Sequence, residues 1–497
     1  MPFDQTRPDS GFRIAILGAG FSGMGMAVAL KRRGFDDFVI YEKADDVGGT
    51  WRENTYPGVA CDVPSHLYSF SFDINPEWTR RYSSGQEIWD YMRRCARKHG
   101  LYEKTEFGRK AVRLRHDGRR WTIEFADGGT AQADIVVSGL GGLHEPNIPD
   151  FPGMESFAGP VFHTARWRHD VDLAGKRVAI IGSAASAVQA IPEIAPKVAR
   201  LDVYQRTPNW VMPRQSYAYP AWARKLFKMI PPLARLYRAY YFFLLESRHL
   251  AFHRNDNFMK RFVRRQFARH LEEQVRDPEL RAKLTPDYPV GCKRILISDD
   301  YFPAIQRDNV ALVTEGVDRF EESGIRTKDG RLREVDVVIL ATGFKPFNLV
   351  ESVEAVGPSG ASLREVWADG IKAHRTVAAP GFPNFFMLLG PNSGLGHNSV
   401  VLMIEAQVKY VLQLIEKMKA SGAALVEPTP EAAAAYDARI QRELSQRVWA
   451  AGCGAWYVDE RGRNYTLYPH TVRRFLKEMK APDMKEYVLR ETVAAAV

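Results

Sequence analysis

Four consecutive apolar residues, Ile14-Ala15-Ile16-Leu17, run straight into Gly18-Ala19-Gly20-Phe21-Ser22-Gly23. A short unbroken apolar run bounded by glycine predicts a strand buried on both faces, as in a parallel sheet. Met24 to Arg33 is rich in Met, Ala, Leu and Lys and predicts a helix, stopped by Gly34. Phe38-Val39-Ile40-Tyr41 predicts a second strand ending in Glu42. Strand, glycine turn, helix and strand make one βαβ unit, the start of a doubly wound sheet.

The pattern returns about 160 residues later. Lys176 to Ile181 is β-like and leads into Gly182-Ser183-Ala184-Ala185-Ser186-Ala187, a helix, and the strand Arg200 to Tyr204. Two further β runs, Ala133 to Val137 and Val335 to Leu340, end in the small residues Ser138-Gly139 and Ala341-Thr342-Gly343. These are expected to be the points where the chain crosses between two nucleotide-binding units. From Pro208 to about Tyr288 the sequence is aromatic, basic and free of glycine, which predicts a helical insertion. Its most apolar part, Leu236 to Leu245, is expected to be core or an interdomain surface. Beyond Asn384, a strand at Phe385 to Leu389 precedes Gly390-Pro391 and a helix from Asn398.

The expected fold is thus α/β, with two Rossmann-like dinucleotide-binding domains and a helical insertion. Residues 1–145 and 341–497 would form the first unit, 146–210 and 289–340 the second, and 211–288 the insertion. A chain of 497 residues is long enough for several cores.

In the first turn Gly18 permits the tight bend, Gly20 lets backbone approach a pyrophosphate, and Gly23 lets helix and strand pack closely. The helix N-terminus offers free N–H groups and partial positive charge to phosphate. Glu42, 19 positions after Gly23, can accept ribose hydroxyls and would repel a 2′-phosphate. This site should therefore hold FAD or NAD. The second turn keeps Gly182, but Ala184 and Ala187 stand at its second and third glycine positions. After its next strand comes Gln205-Arg206-Thr207. Arg206 supplies charge-assisted donors that favour a 2′-phosphate, with Thr207 beside it, so this site should take NADPH.

The net charge of +10 raises the question of nucleic acid, yet no zinc-finger or RNA-binding signature accompanies it. The basic residues from Arg254 to Lys283 are read as a solvated face. No run of about 18 apolar residues suggests a membrane span, and the opening residues lack the pattern of a signal peptide. Cys61, Cys95, Cys292 and Cys453 lie far apart without metal spacing, so the expectation is reduced thiols, no metal and a cytoplasmic protein.

Longer motifs sharpen the picture. Gly48 to Asp62, reading GGTWRENTYPGVACD, resembles the flavin-proximal signature of Baeyer–Villiger monooxygenases. Phe157 to Trp167, FAGPVFHTARW, resembles the same family's FxGxxxHxxxW fingerprint, although Arg168 stands where Pro or Asp is usual. The resemblance continues through Gln205 to Pro208, Gly291 to Arg294, Ala341 to Phe344 and Gly390 to Ser393.

This resemblance implies that NADPH reduces FAD, that the reduced flavin adds O2 at C4a, and that the peroxide attacks a ketone to give an ester or lactone. It implies that Arg294 is the cation stabilising that anionic peroxide and that Asp62 holds it near the flavin. It places Lys293 with Arg206 and Thr207 on the 2′-phosphate, Thr50, Trp51 and Asn392 among the cofactor contacts, and His163 as the coupling between domain movement and catalysis. His397 stays outside the catalytic set, and Trp456-Tyr457 receive no chemical step. A flavin monooxygenase acting on amine nitrogen or sulfur is the rival reading. That chemistry has less need of an Asp62–Arg294 arrangement. An NADPH–flavin reductase of the disulfide type would require a cysteine partner near Cys61, which the sequence lacks.

Overall fold

A computed structural model describes residues 11–345, 352–459 and 461–491. Two five-stranded, wholly parallel sheets organise them. The first runs Phe385–Met387, Ile135–Ser138, Ile14–Leu17, Phe38–Glu42 and Thr105–Phe107 in spatial order. The second runs Val310–Val313, Arg200–Tyr204, Arg177–Ile181, Val337–Leu340 and Val161–His163.

The unbroken apolar runs have their cause in the layers. Helix Phe21–Arg32 covers one face of the first sheet and carries the long helix Val400–Ser421 behind it. Gly25 sits in this contact, where an added Cβ would make ordinary contacts at 3.4 Å with the Phe70 ring and 3.8 Å with Ile404. Leu17, Tyr41, Val136 and Phe385 on the opposite face pack against Leu114, Trp121, Ile123 and Phe125 of a second, four-stranded sheet. The β run from Ala133 to Val137 divides between these sheets. Thr130–Ala133 belongs to the four-stranded one, Ile135–Ser138 to the first. Asp134 marks the break and accepts a hydrogen bond from Arg13 N at 2.8 Å.

The two crossing segments meet. Pro146 and Phe344 form an antiparallel bridge. Asn147 N donates to Gly343 O at 2.9 Å, Lys345 N to Glu145 O at 3.0 Å, and Thr342 Oγ1 to Asn147 O at 2.6 Å.

The insertion contains helices Ala221–Met229, Pro231–Ser247, Phe258–Gln274 and Pro278–Leu284. Strands Val211–Met212 and Leu296–Ile297 pair in parallel across its base. Arg238 anchors it: the buried guanidinium donates through Nη1 to the carbonyls of His66, Leu67 and Ser69 at 2.9–3.0 Å. Of Leu236 to Leu245, expected to be core or an interdomain surface, only Arg238, Tyr241 and Leu245 are buried. Tyr241 and Leu245 point inward, whereas Leu236, Tyr240, Phe243 and Leu244 are exposed. A helix packed on one side must leave the other side out, whatever its residues.

Candidate active site

Each glycine of the first turn meets a different neighbour. Gly18 has φ +95°, and a Cβ there would sit 2.9 Å from Gly139 O. At Gly23 a Cβ would fall 1.8 Å from Gly18 O, an impossible approach. A Cβ on Gly20 would meet only Gly49 Cα, at 3.8 Å, so the second glycine faces open space. Helix Phe21–Arg32 has neither a side-chain cap nor an acid in its first turn, unlike Gly85–Lys98, which Ser84 caps. Uncapped amides beside open space suit a phosphate. Buried Glu42 accepts from Ala19 N at 2.7 Å and from Ala44 N at 2.9 Å, bracing the turn with both oxygens. Each carboxylate oxygen retains a lone pair for a further donor.

The second turn repeats this construction. Gly182 has φ +115°, and a Cβ would lie 2.4 Å from Ala341 O. The small residues that end both crossing strands are thus the partners of the first glycine in each turn. Helix Ala185–Ile194 is also uncapped and free of acids in its first turn. Ala184 has the ordinary φ of −85° and is exposed, while Ala187 is fully buried, so both methyl groups are accommodated. The loop carrying Arg206 and Thr207 is tied to this turn by Asn209 Nδ2, which donates to Ser183 O at 2.9 Å, and by Ser183 Oγ, which donates to Thr207 O at 3.2 Å. Lys293 lies over the Tyr288 ring at 4.8 Å. Its ammonium is held below the usual lysine pKa, first by burial and then by nearby Arg206. Two cations that repel each other at the mouth of a phosphate turn invite an anion.

Arg294 pairs with Asp62. Its Nε and Nη2 both donate to Asp62 Oδ2, at 2.9 and 2.5 Å, while Nη1 makes only a 3.5 Å contact with Leu395 O. The side chains are 37% and 32% exposed, so the pair is fixed yet reachable. Asp62 raises the Arg294 pKa above its already high value, and the cation persists at every working pH. One side of the guanidinium is locked and the other is left as donor. The segment before Asp62 also touches the second unit. Tyr56 Oη donates to Gln189 Oε1 at 2.8 Å, Gln189 Nε2 donates to Ala60 O at 3.0 Å, and Gly58 packs where a Cβ would meet Gln189 O at 2.3 Å. Gln189 carries no sequence signal, because only the fold brings its helix to this loop.

Trp51 Nε1 donates to Tyr68 Oη at 3.3 Å, and Thr50 opens the short helix Thr50–Glu53 that follows Gly48-Gly49. Gly49 lies against the first turn, where a Cβ would reach Gly20 Cα at 3.2 Å. Asn392 also ties the C-terminal segment. Its Nδ2 donates to Asn464 O at 2.8 Å and Leu467 O at 3.2 Å, so this buried carboxamide pins the C-terminal segment. Both of its donors are engaged there. His397, in the loop before helix Val400–Ser421, sits 3.5 Å from Glu246 of the insertion.

His163 ends strand Val161–His163 and caps the turn after it, its Nδ1 accepting from Ala165 N at 3.0 Å. That acceptor role puts the proton of the neutral ring on Nε2. Burial brings its pKa down to about 4, with the Gly343 backbone opposing and Arg166 assisting. The ring is therefore neutral at pH 7, and Gly343 links it to the paired crossings. A folded-state pKa below the unfolded value of 6.5 gives stability that is present above pH 6.5 and lost as pH falls toward 4. The full loss for this residue is about 3 kcal/mol. Denaturant melts between pH 7 and 4 should show His163→Gln with a shallower decline than wild type; parallel declines would contradict the assignment.

The four cysteines, expected as reduced thiols, divide into a bonded pair and two free residues. Cys292 and Cys453 form a disulfide, with Cα atoms 6.3 Å apart, leaving Cys61 and Cys95 as free, buried thiols. The sequence distance of 161 residues concealed the pairing, because only tertiary structure brings the two ends together. The bond ties the residue before Lys293 to the loop before Trp456 and Tyr457. Tyr457 is buried beside Arg294, its hydroxyl pushed up to about 12 chiefly by burial.

A cleft of about 1170 Å³ opens between Lys43–Asp46 and Ala165–Trp167. Among the described residues no cluster could hold a metal ion, and no helix is long and apolar enough to cross a membrane.

Comparison with known proteins agrees with this geometry. The family model described as flavin-binding monooxygenase-like matches residues 11–363. A Baeyer–Villiger monooxygenase of Pseudomonas aeruginosa is 45% identical over 489 residues, covering 98% of this chain and 93% of that one. Among solved structures, an oxidised steroid monooxygenase bound to NADP is 28% identical with a TM-score of 0.84, covering 97% of this chain and 100% of its own. The enzyme OTEMO in complex with FAD and NADP is 25% identical with a TM-score of 0.85 over the same shares. The chain belongs to the flavin-binding monooxygenase-like family and, within it, to the Baeyer–Villiger monooxygenases.

Proposed function

We propose that this protein is an NADPH-dependent flavoprotein that uses O2 to insert one oxygen atom beside a ketone carbonyl, giving an ester or lactone. The observation that carries the reading is the Arg294 guanidinium, locked by Asp62 on one edge and open on the other, in a chain with two phosphate-binding turns. When bound, FAD supplies the reduced ring that activates O2. The chain's own residues bind, orient and stabilise charge.

Residues 1–145 with 341–497 form the FAD-binding unit in this reading. Gly18, Gly20 and Gly23 cradle the pyrophosphate, Glu42 accepts the ribose hydroxyls, and Thr50 and Trp51 lie along the cofactor. Residues 146–210 with 289–340 take NADPH on Gly182, with Arg206, Thr207 and Lys293 toward the 2′-phosphate. Residues 211–288 form the insertion. Arg294 offers Nη1 to the anionic oxygen that develops during O2 transfer, and Asp62 keeps the guanidinium from rotating away. His163, neutral and buried, moves no proton and instead couples the two units at their crossings.

The test is product analysis across a panel of cyclic, aryl and long-chain ketones under isotopically labelled O2. Esters carrying one labelled atom are expected. Hydrogen peroxide alone from every ketone, with amines or sulfides oxygenated, would overturn the reading. Arg206→Ala should raise KM for NADPH about 10- to 100-fold, the worth of a charge-assisted contact, with little effect on NADH. Equal losses for both nucleotides would remove Arg206 from the phosphate.

We place the enzyme in the cytoplasm, where NADPH is supplied. Structural disulfides are rare there. Protein alkylated at the moment of lysis should therefore show Cys292 and Cys453 as free thiols, forming their bond on exposure to air. Finding them already joined would move the enzyme to an oxidising compartment.

A further inference from the structure

We propose that the outward face of the helical insertion docks on an anionic lipid surface. Helix Ala221–Met229 exposes Trp222, Leu226 and Met229, at spacings of four and three. Helix Pro231–Ser247 exposes Leu236, Tyr240 and Phe243 at the same spacings. Such spacing puts each triplet on one helix face. Exposed Ile230-Pro231-Pro232 joins the two helices, so the apolar surface is continuous around the turn between them. Trp222 is 69% exposed, Met229 68% and Leu236 67%, values that decide against covering by the described residues.

The inner faces of the same helices are apolar too, with Phe227, Tyr241 and Leu245 buried. Helices that are apolar on both sides have one side for the fold and another for something outside it. Contiguous exposed apolar surface on a folded chain marks an interaction site.

Charge identifies the partner. Lys225 and Arg235 flank this face, and neither forms an ion pair among the described residues. Glu246 is the only acid between residues 221 and 247, and it is turned inward, accepting from Asn398 Nδ2 at 3.0 Å and Arg473 N at 2.8 Å. The face is therefore apolar with a net positive rim, where exposed Glu77 is balanced by Lys228 at 2.9 Å. A second copy would bring the same cations together, in a chain whose net charge is already +10. An anionic bilayer offers hydrocarbon to the apolar stripe and headgroup charge to the rim, and Trp and Tyr favour that interface. The insertion lies on such a surface without crossing it.

The experiment uses the full chain with its flavin, sedimented with vesicles of phosphatidylcholine alone or containing one third phosphatidylglycerol. Binding about tenfold or more tighter to the anionic vesicles is expected, weakening in high salt. Leu236→Glu with Phe243→Glu should abolish it, and Lys225→Glu with Arg235→Glu should weaken it about tenfold or more. All four positions are exposed, so flavin content and melting temperature should stay unchanged, which separates lost docking from lost folding. The proposal is overturned by equal or absent binding to both vesicle types, or by unchanged binding in the Glu variants. It is also overturned if light scattering shows a dimer that Leu236→Glu with Phe243→Glu converts to monomer, because the face then belongs to a second copy.

Discussion

Arg294→Ala will yield a yellow protein that NADPH still bleaches anaerobically, while ester formation falls at least about a hundredfold. Removing one preorganised donor from a developing oxyanion costs about 10²- to 10³-fold in known enzymes, and here a full charge is lost with it. Flavin stays because, among the described residues, no hydrogen bond joins the Arg294 side chain to the Gly18–Gly23 turn; that side chain bonds Asp62 and Leu395. NADPH oxidation should continue with hydrogen peroxide as product, since electrons still reach O2 while transfer to the ketone fails. Arg294→Lys should recover little, because an ammonium cannot keep two N–H bonds on Asp62 and a third donor free in one plane. The readout is ester formed per NADPH consumed. A ratio within tenfold of wild type would remove Arg294 from the chemistry.

Gly23→Ala will give protein without flavin and with a much reduced melting temperature. The added methyl would lie 1.8 Å from Gly18 O and 3.2 Å from Ile16 Cγ2. Relief requires helix Phe21–Arg32 to lift from its strand, and helix Val400–Ser421 is stacked behind it. Overpacking of this kind costs about 3 kcal/mol or more. Gly20→Ala is the contrasting case. Gly20 has the unstrained φ of −83°, and its Cβ would meet only Gly49 Cα at 3.8 Å. That variant should keep the fold and lose flavin affinity, because the methyl enters the space kept for phosphate. Absorbance ratio and thermal melts distinguish the two variants; equal stability in both would refute the packing argument for Gly23.

Both variants rest on features legible in one dimension. The strand–turn–helix order, the two turns and the small residues after each crossing strand are local, and local sequence reports them well. Asp62 and Arg294 were paired through resemblance, although 232 residues separate them. What escaped the sequence was contact between distant segments. Gln189 occupies an unremarkable helical position until the Tyr56–Ala60 loop folds onto it. The commitment of Asn392 to Asn464 and Leu467 depends on the return of the C-terminal segment. Leu236 and Phe243 look like core by composition, and only the packed helix shows which side faces out. Ala184 and Ala187 stand at the second and third glycine positions of the second turn. Their settings, one exposed and one fully buried, show a turn built to hold both methyl groups.

The disulfide between Cys292 and Cys453 closes a covalent ring that contains Lys293, Arg294, the second crossing and helix Val400–Ser421. A single cut anywhere within that ring leaves both fragments attached to one another. Nicked protein should therefore run as one full-length band on a non-reducing gel and as two bands after reduction. The Arg294 segment stays tethered on both sides of such a cut, so activity should survive proteolysis until a reductant is added.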